Sequence, residues 1–431
     1  MRCAAVYQRP MLTLMRTVFS ALALVLALTA PLTAATHRQA YGQAMANAQA
    51  AMAAGAMDTA AAAGRAAFAA APDTNAKITA ARLIAAAHFR AKQYFRAEFW
   101  LRRAWQLAAD NGPARQAVAA DFAGLRAANP VSVQLSFSAA PNSNINNGSQ
   151  SETITIWGLP FVLNPDARAL AGYEVFLGAE IAYRLPTTGE RQSQIGLRAN
   201  ARSYALSAAA AAAAPDVSGA DYAFASAEAF FTHRWQAAGM PGPTNFNASL
   251  GKTWYGGAPY TRFARLSLGQ EFPLGDAASG AVSLGLERQI SDSAGGTAST
   301  IAQISLQSAQ RLGNGDQLRL NLGFETTSSV DVFTRNRAAR IGLGYALAQP
   351  IWNTNVSFDL GLERREWAVS VYDPSGRQDL SLSLDVNVAM PQATVYGFTP
   401  VIKAEARQSE SNIDLFDRLS YGLRLGLETR F

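Results

Sequence analysis

The last stretch of the chain, Ser420–Phe431, alternates strictly between two kinds of side chain. One face carries Tyr421, Leu423, Leu425, Leu427 and Thr429, and the other carries Gly422, Arg424, Gly426, Glu428 and Arg430. A period of two predicts a β-strand. The second face is too charged to pack in a dry core, so this strand is expected to separate an apolar medium from water.

The same alternation continues through the region that follows Asn129-Pro130 and predicts about fourteen strands. Predicted strands cover residues 131–139, 172–184, 191–205, 220–234, 245–254, 261–272, 280–290, 300–311, 317–327, 336–347, 353–367, 378–389, 394–408 and 417–431. Apolar-outside strands in an even number are typical of an all-β transmembrane barrel, and the aromatic Phe431 is typical of the C-terminal signal of one. A β-sandwich is the alternative for any single strand.

Composition favours the barrel. Charged residues make up 16% of 431 residues, which is low for a soluble protein. Beyond the N-terminus there is no apolar run of about 20 residues, which a membrane-spanning helix needs. In a barrel, apolar lipid-facing residues alternate with polar lumen-facing residues, so their hydropathies average out along the sequence. A barrel therefore explains both the low charge content and the lack of long apolar runs.

The connections between predicted strands differ in length. Those after even-numbered strands are mostly short and carry Gly or Pro. Several after odd-numbered strands are longer, at residues 140–170, 206–219, 289–298, 326–335 and 367–377. Outer-membrane barrels have short periplasmic turns and longer external loops, so both chain ends are predicted to be periplasmic.

Residues 1–35 are predicted to be a secretory signal peptide. Arg16 precedes a short apolar run that ends at Leu28, and the small residues Ala34 and Ala35 follow. The single cysteine, Cys3, lies within this segment, so the predicted mature chain has no thiol chemistry. The expected location is the bacterial outer membrane.

Residues 36–130 are Ala-rich with helical spacing and are predicted to form a periplasmic domain of helix pairs. Ala60 and Ala97, and likewise Ala67 and Ala104, are separated by 37 positions, close to the 34-residue period of tetratricopeptide repeats. This region holds 11 Lys and Arg against 5 Asp and Glu, whereas residues 131–431 hold 23 against 26. The excess of basic residues in this domain is consistent either with binding of an acidic partner or with a helix surface that simply faces solvent.

The inward faces of the predicted strands are charged. Positions predicted to face the lumen are Glu174, Glu180, Arg198, Arg202, Arg319, Glu325, Glu363, Arg424 and Glu428, together with Arg184, Glu287, Asp359, Asp385, Lys403 and Glu405. Their mixed signs predict a water-filled interior crossed by salt bridges. The interior is either passive or a lining for a transported chain.

Catalysis is not predicted. The three histidines are His37, His88 and His233, and no two have metal-ligand spacing. The sequence FFTHRW places His233 among aromatic residues near a membrane rim, and no nucleophile or nucleotide motif occurs in the right context. We therefore expect no enzyme activity, no cofactor, no metal and no nucleic acid partner.

The stretch after the first predicted strand is long and contains an Asn- and Ser-rich run followed by the apolar residues 153–163. Side chains of this kind form tight turns with the backbone. The stretch is predicted to fold into or over the mouth of the barrel, as a plug or a gate.

Three segments resemble the Slam family, the surface lipoprotein assembly modulators. They are APNSNIN at residues 140–146, GLPFVLNPDARALAGYE at 158–174 and SNIDLFDRLSYGLRLGLETRF at 411–431. The motif and gate-loop positions are Pro141, Asn142, Ser143, Asn144, Asn146, Gly158, Pro160 and Phe161.

The resemblance implies a periplasmic tetratricopeptide-like domain, a barrel of fourteen strands and delivery of lipoproteins or other secreted proteins to the cell surface. The implied partners are outer-membrane lipid, a client protein, periplasmic chaperones and the barrel assembly machinery. An exopolysaccharide export porin and a diffusion porin remain as alternative functions.

Overall fold

The computed structural model describes residues 36–108, 111–186, 189–292 and 296–429. The chain divides into two compact units between Asn129 and Pro130. The predicted signal peptide and Phe431 fall outside the described residues. The first unit is helical, with α1 over residues 36–53, α2 (Met57–Ala70), α3 (Thr74–Arg90), α4 (Tyr94–Leu107) and α5 (Gly112–Ala128).

The 37-residue offset recurs in the backbone of the helical unit. Gly55 before α2 and Lys92 before α4 both adopt positive φ, at 76° and 58°. All four alanines of the repeat are fully buried: Ala60, Ala67, Ala97 and Ala104. Small buried residues let paired helices approach closely, so α2–α3 and α4–α5 form two successive helix pairs.

The core of the helical unit lies between α3, α4 and α5, around Ile78, Leu101 and Val118. Trp100 and Trp105 pack against it, whereas Phe95 and Phe99 remain about half exposed. The exposed rings line a cavity of about 320 Å³ together with Arg65, His88, Arg96 and Trp100. The aromatic residues of α4 are therefore divided between the core and a groove.

The second unit is a closed antiparallel barrel of fourteen strands, which confirms the predicted fold class. Its strands are β1 (Val131–Asn142), β4 (Gly172–Arg184), β5 (Gln192–Leu206), β6 (Phe224–Gln236), β7 (Pro243–Tyr255), β8 (Ala258–Pro273), β9 (Ala278–Ser291), β10 (Ala298–Arg311), β11 (Gln317–Ser329), β12 (Asn336–Ala346), β13 (Asn355–Trp367), β14 (Arg377–Ala389), β15 (Phe398–Ser411) and β16 (Arg418–Thr429). Each strand pairs with the next, and β1 pairs with both β4 and β16. The barrel sheet therefore has no free edge.

A separate hairpin, β2 (Thr153–Ile156) and β3 (Leu159–Val162), lies in the connection between β1 and β4. The sequence predicted this stretch only as an apolar loop. Trp157 and Gly158 at its tip both have positive φ, at 55° and 81°. A two-residue turn of this kind matches the twist of the flanking strands, so the loop contains a regular hairpin.

The two ends of the barrel carry different connections. The turn end carries residues 237–242, 274–277, 312–316, 347–354 and 390–397, together with the β4–β5 connection. The loop end carries residues 143–171, 207–223, 256–257, 330–335, 368–376 and 412–417, together with the β9–β10 connection. The predicted contrast in length comes mainly from 143–171 and 207–223, since Gly256 and Gly257 alone join β7 to β8.

The outer face of the barrel is apolar. Leu177, Leu250 and Leu425 are 54%, 68% and 59% exposed, values that no soluble core position has. The strand pairs place such residues side by side, for example Leu266 opposite Leu286 and Leu360 opposite Leu384. A continuous exposed apolar surface on a closed wall requires an apolar medium around it. None of the helices in the described ranges is long and apolar enough to cross a bilayer.

Two neighbouring connections at the turn end are joined through Asp316. One carboxylate oxygen accepts a hydrogen bond from the Ala348 backbone N–H at 2.8 Å, and the other accepts from the Tyr345 hydroxyl and from Asn314 Nδ2. The Ala348 N–H and the Tyr345 hydroxyl hold the pKa of Asp316 below its usual range.

This contact predicts a pH dependence of the turn end. Because the pKa of Asp316 is lowered by folding, its stabilising effect is complete above the ordinary aspartate pKa of about 3.9 and is lost as the pH falls through the lowered value. Amide exchange at Ala348, corrected for intrinsic rates, is expected to accelerate over that acidic range. Asp316→Asn should exchange faster already at neutral pH and show no such transition. A wild-type profile equal to that of the variant would contradict the assignment.

Candidate functional site

The interior of the barrel is lined by charged side chains that pair across neighbouring strands. At least fourteen of the fifteen charged residues predicted to face the lumen lie within 4.0 Å of an oppositely charged side chain. The ladder registers explain this, because residues opposite each other on one face have Cβ atoms about 4.5–5.5 Å apart. Glu180 is opposite Arg198, and Arg340 is opposite Glu363.

Four residues of β11, β12 and β13 form a closed ring of alternating charge. Arg365 donates to Glu325 and to Glu363, at 2.9 Å each. Arg340 donates to the same two carboxylates, at 2.9 Å for Glu325. The side chains of Arg365 and Glu325 are only 19% and 13% exposed. Every charge in the ring therefore has two partners, and Asn336 Oδ1 accepts a further bond from Arg365 at 2.6 Å.

A chain of five charges crosses the opposite part of the wall. Arg198 contacts Glu180 at 2.7 Å and Glu228 at 2.5 Å. Arg265 contacts the same Glu228 at 3.5 Å and Glu287 at 2.7 Å. Each arginine therefore bridges two carboxylates, which ties five charges on β4, β5, β6, β8 and β9 into one network.

A third group lies at the seam where the first and last strands meet. Arg424 contacts Glu174 and Glu405, both at 3.2 Å, and Arg202 approaches Glu174 at 3.9 Å. Glu174 is almost fully buried. Arg424 Nε has no hydrogen-bond partner among the described residues, so the seam retains one unused donor.

Four more of the predicted positions form two isolated pairs. Lys403 contacts Glu428 at 2.7 Å, and Arg319 contacts Asp359 at 3.1 Å. Both side chains of the second pair are about half exposed. These pairs are more accessible to water than the ring and are correspondingly weaker.

A cavity of about 1270 Å³ lies inside the wall. Its described lining is richer in arginine than in carboxylates, although residues 131–431 as a whole hold more acidic than basic residues. The lining arginines are Arg202, Arg340, Arg365, Arg377, Arg407, Arg418 and Arg424, and the lining carboxylates are Glu174, Glu363, Asp379 and Glu405. The cavity is thus polar, and six of these seven arginines are paired with a carboxylate.

At the mouth of this cavity, the first residues of the long connection 143–171 are held in place by side-chain hydrogen bonds. The Asn144 side chain donates to the carbonyls of Gly148 and of Leu419 in β16, and it accepts from the Gly148 N–H. Asn146 donates to the carbonyls of Asp166 and Arg168 and accepts from the Leu170 N–H. Five predicted motif residues are brought together here: Pro141, Asn142, Ser143, Asn144 and Asn146. Ser143 contributes hydrogen bonds to Tyr421.

The remaining motif residues lie apart from these. Gly158, Pro160 and Phe161 belong to the β2–β3 hairpin, which packs through Ile154 and Leu163 against Ile413. Phe161 is half exposed and does not line the cavity. The start of the connection therefore borders the cavity, while its hairpin lies against the neighbouring loop 412–417.

The histidines show no catalytic arrangement within the described ranges. His233 on β6 lies 4.9 Å from the ring of Trp235 and 6.3 Å from that of Phe231, and its Nδ1 is 2.7 Å from Ser193 Oγ. Its parity places it on the outer face near the turn end, as in an aromatic girdle. The described residues contain no cluster of His, Cys, Asp or Glu able to hold a metal ion.

Sequence reasoning missed four interior residues that carry the networks: Glu228, Arg265, Arg340 and Arg365. The signal was available for Arg365, which has the same parity as the predicted lumen positions Asp359 and Glu363 of its strand, whereas no lumen position was predicted on the strands of the other three. The pairing between strands that are distant in sequence was not available, because it depends on the register.

The chain matches no protein-family model and no curated protein. Solved structures with some likeness include an anion-selective porin from Comamonas acidovorans, at 9% identity and a TM-score of 0.36 over 70% of this chain and 99% of that chain. OccAB3 of Acinetobacter baumannii has 8% identity and a TM-score of 0.38 over 70% and 99%. OccK3 of Pseudomonas aeruginosa has 12% identity and a TM-score of 0.35 over 72% and 98%. These values are too low to support a conclusion about function.

Proposed function

We propose that this chain is a barrel of the bacterial outer membrane that delivers lipoproteins or other secreted proteins to the cell surface, as the Slam-like segments suggest. The observation that carries the proposal is a polar, ion-paired cavity enclosed by a wall whose outer face is apolar. Such a wall is compatible with lipid outside and water inside. Alternating charges offer a passing polypeptide both hydrogen-bond donors and acceptors along the lining.

In this proposal the turn end faces the periplasm and the loop end faces outward. The chain enters β1 from the helical unit at the turn end, and β16 ends there as well. The helical unit is then periplasmic, and its excess of basic residues suits a client or chaperone of opposite charge. The connection 143–171 is the gate, because its Asn-rich start lines the mouth of the cavity.

The test is surface delivery in the native cell. Protease treatment of intact cells followed by mass spectrometry should show that deletion of the gene reduces at least one surface lipoprotein about tenfold, with its total amount unchanged. Unchanged surface lipoproteins and unchanged secreted proteins after deletion would overturn the proposal.

A disulfide tests the gate separately. The Gln150 N–H donates to the Asp417 carbonyl at 2.8 Å, so the two residues are close enough for a cysteine pair. Gln150→Cys with Asp417→Cys should lose delivery when oxidised and regain it under an external reductant. Gln150→Cys alone is the matched control and should deliver normally in both conditions. Full delivery by the oxidised double variant would exclude gating by this connection.

A pore for anionic solutes or an acidic polysaccharide is the second candidate, and the arginine excess of the cavity lining favours it. In a planar bilayer with a KCl gradient, this candidate predicts a steady conductance with chloride preferred over potassium. Anion-selective conductance together with intact surface lipoproteins after deletion would favour this candidate over protein delivery.

A further inference from the structure

A cationic cluster lies on the outer face of the barrel at the loop end. Lys252 on β7 is directly opposite Arg262 on β8, and Arg288 on β9 is diagonal to Arg262 because Arg262 is opposite Ile290. Arg262 has the same parity as Leu266 and Leu268, and Arg288 has the same parity as Leu284 and Leu286. These cations therefore point away from the cavity.

The cluster has one nearby carboxylate for three positive charges. Asp292 lies 3.1 Å from Lys252 and 2.6 Å from Arg262. Arg288 donates to Thr300 Oγ1 at 2.7 Å and forms no ion pair within the described ranges. The guanidinium-bearing side chain of Arg262 is 60% exposed. Like charges directly opposite each other are destabilising in a sheet, so this arrangement has a cost that a bound anion would remove.

The surroundings identify the kind of anion. On the turn-end side of the cluster, the same face carries the exposed Leu250, Leu266 and Leu286. On the loop-end side, the Trp254 ring, which has the same parity as Lys252, lies 5.9 Å from Lys252 Nζ. An apolar wall is thus followed along the strands by cations and an aromatic ring, as acyl chains are followed by the headgroup level of a bilayer.

We propose that Lys252, Arg262 and Arg288 bind the phosphate of a phosphorylated glycolipid in the outer leaflet, whose acyl chains lie against the leucines below. The site goes beyond the proposed delivery function and rests only on the proposed membrane placement. A guanidinium group can donate two parallel hydrogen bonds to phosphate oxygens, and Arg288, which forms no ion pair with any described residue, supplies the available charge.

The experiment is native mass spectrometry of the full chain in detergent, titrated with diphosphoryl lipid A. Wild-type protein is expected to retain one lipid molecule, and the double variant Arg262→Gln with Arg288→Gln should bind at least tenfold more weakly. Arg288→Gln alone, which leaves no carboxylate unpaired, should weaken binding about threefold or more and serves if the double variant does not fold.

The matched control is Arg337→Gln. Arg337 also lies on the outer face at the loop end, but it and the neighbouring Arg364 both contact Glu366, at 2.7 and 2.9 Å, so this group has no counterpart of Arg288. Its variant should bind lipid A as the wild type does. The proposal would be overturned if Arg337→Gln lost as much lipid A affinity as the double variant, or if the double variant bound lipid A like the wild type. Displacement of the lipid by millimolar inorganic phosphate would also overturn it. Surface delivery is measured independently, so a missing lipid site leaves the delivery function standing.

Discussion

Replacing Leu425 by arginine is expected to destabilise the folded barrel in a lipid bilayer by about 2–4 kcal/mol, the usual cost of a cation on the lipid face at mid-depth. Leu425 is 59% exposed and lies between Leu423 and Leu427 on the apolar face of β16. The measurement is reversible urea unfolding in phosphatidylcholine vesicles, followed by tryptophan fluorescence.

The control for this change places the same arginine inside the barrel. Ser381 lines the cavity opposite Glu363, so Ser381→Arg introduces a cation beside an existing carboxylate and water. Its cost is expected to stay within about 1 kcal/mol. Equal costs at the two positions would contradict the assignment of the outer face to lipid.

Replacing Arg365 by glutamine is expected to cost about 2–3 kcal/mol in the same assay. The change leaves Glu325 and Glu363 sharing one guanidinium, that of Arg340, in a part of the wall where the carboxylates are largely shielded. A buried pair that loses one partner costs about 3–5 kcal/mol, and partial hydration of the lumen lowers that figure here.

Arg319→Gln provides the comparison for the ring. Arg319 also faces the interior and loses a single pair with Asp359, but both groups are about half exposed. We expect a change within about 1 kcal/mol. If Arg319→Gln were as costly as Arg365→Gln, the closed ring would have no special role in stability.

Much of the barrel follows from the sequence because its period of two is repeated on every strand. The predicted second strand, 172–184, has the bounds observed for β4, and the alternation around Leu423 and Arg424 is enough to assign both faces. The start predicted at Ala220 is wrong for β6, which begins at Phe224, because Gly219–Tyr222 forms a 3-10 turn capped by Ser218. The hydrogen bonds between Ser218 and Asp221 stabilise this turn, although the sequence alternation continues through it.

The site was less predictable than the wall. Parity assigns Glu174 and Arg424 to the interior, but their contact depends on strands that are the second and the last of the barrel. Likewise, the charge count of the barrel region is slightly acidic, whereas the cavity lining is rich in arginine. The number of charged residues in residues 131–431 does not show which of them line the cavity, because only some of these side chains face it in the folded barrel.

The seam between β1 and β16 has a consequence for how the molecule is made. The Leu135 N–H donates to Thr429 Oγ1 across 294 positions of sequence, so the wall cannot close until the last dozen residues have arrived. Before β16 is available, the sheet remains open. Its two edge strands then expose unpaired backbone N–H and C=O groups. Closure of the barrel therefore depends on a contact between its first and last strands. Until β16 pairs with β1, the unpaired edges need protection by another protein.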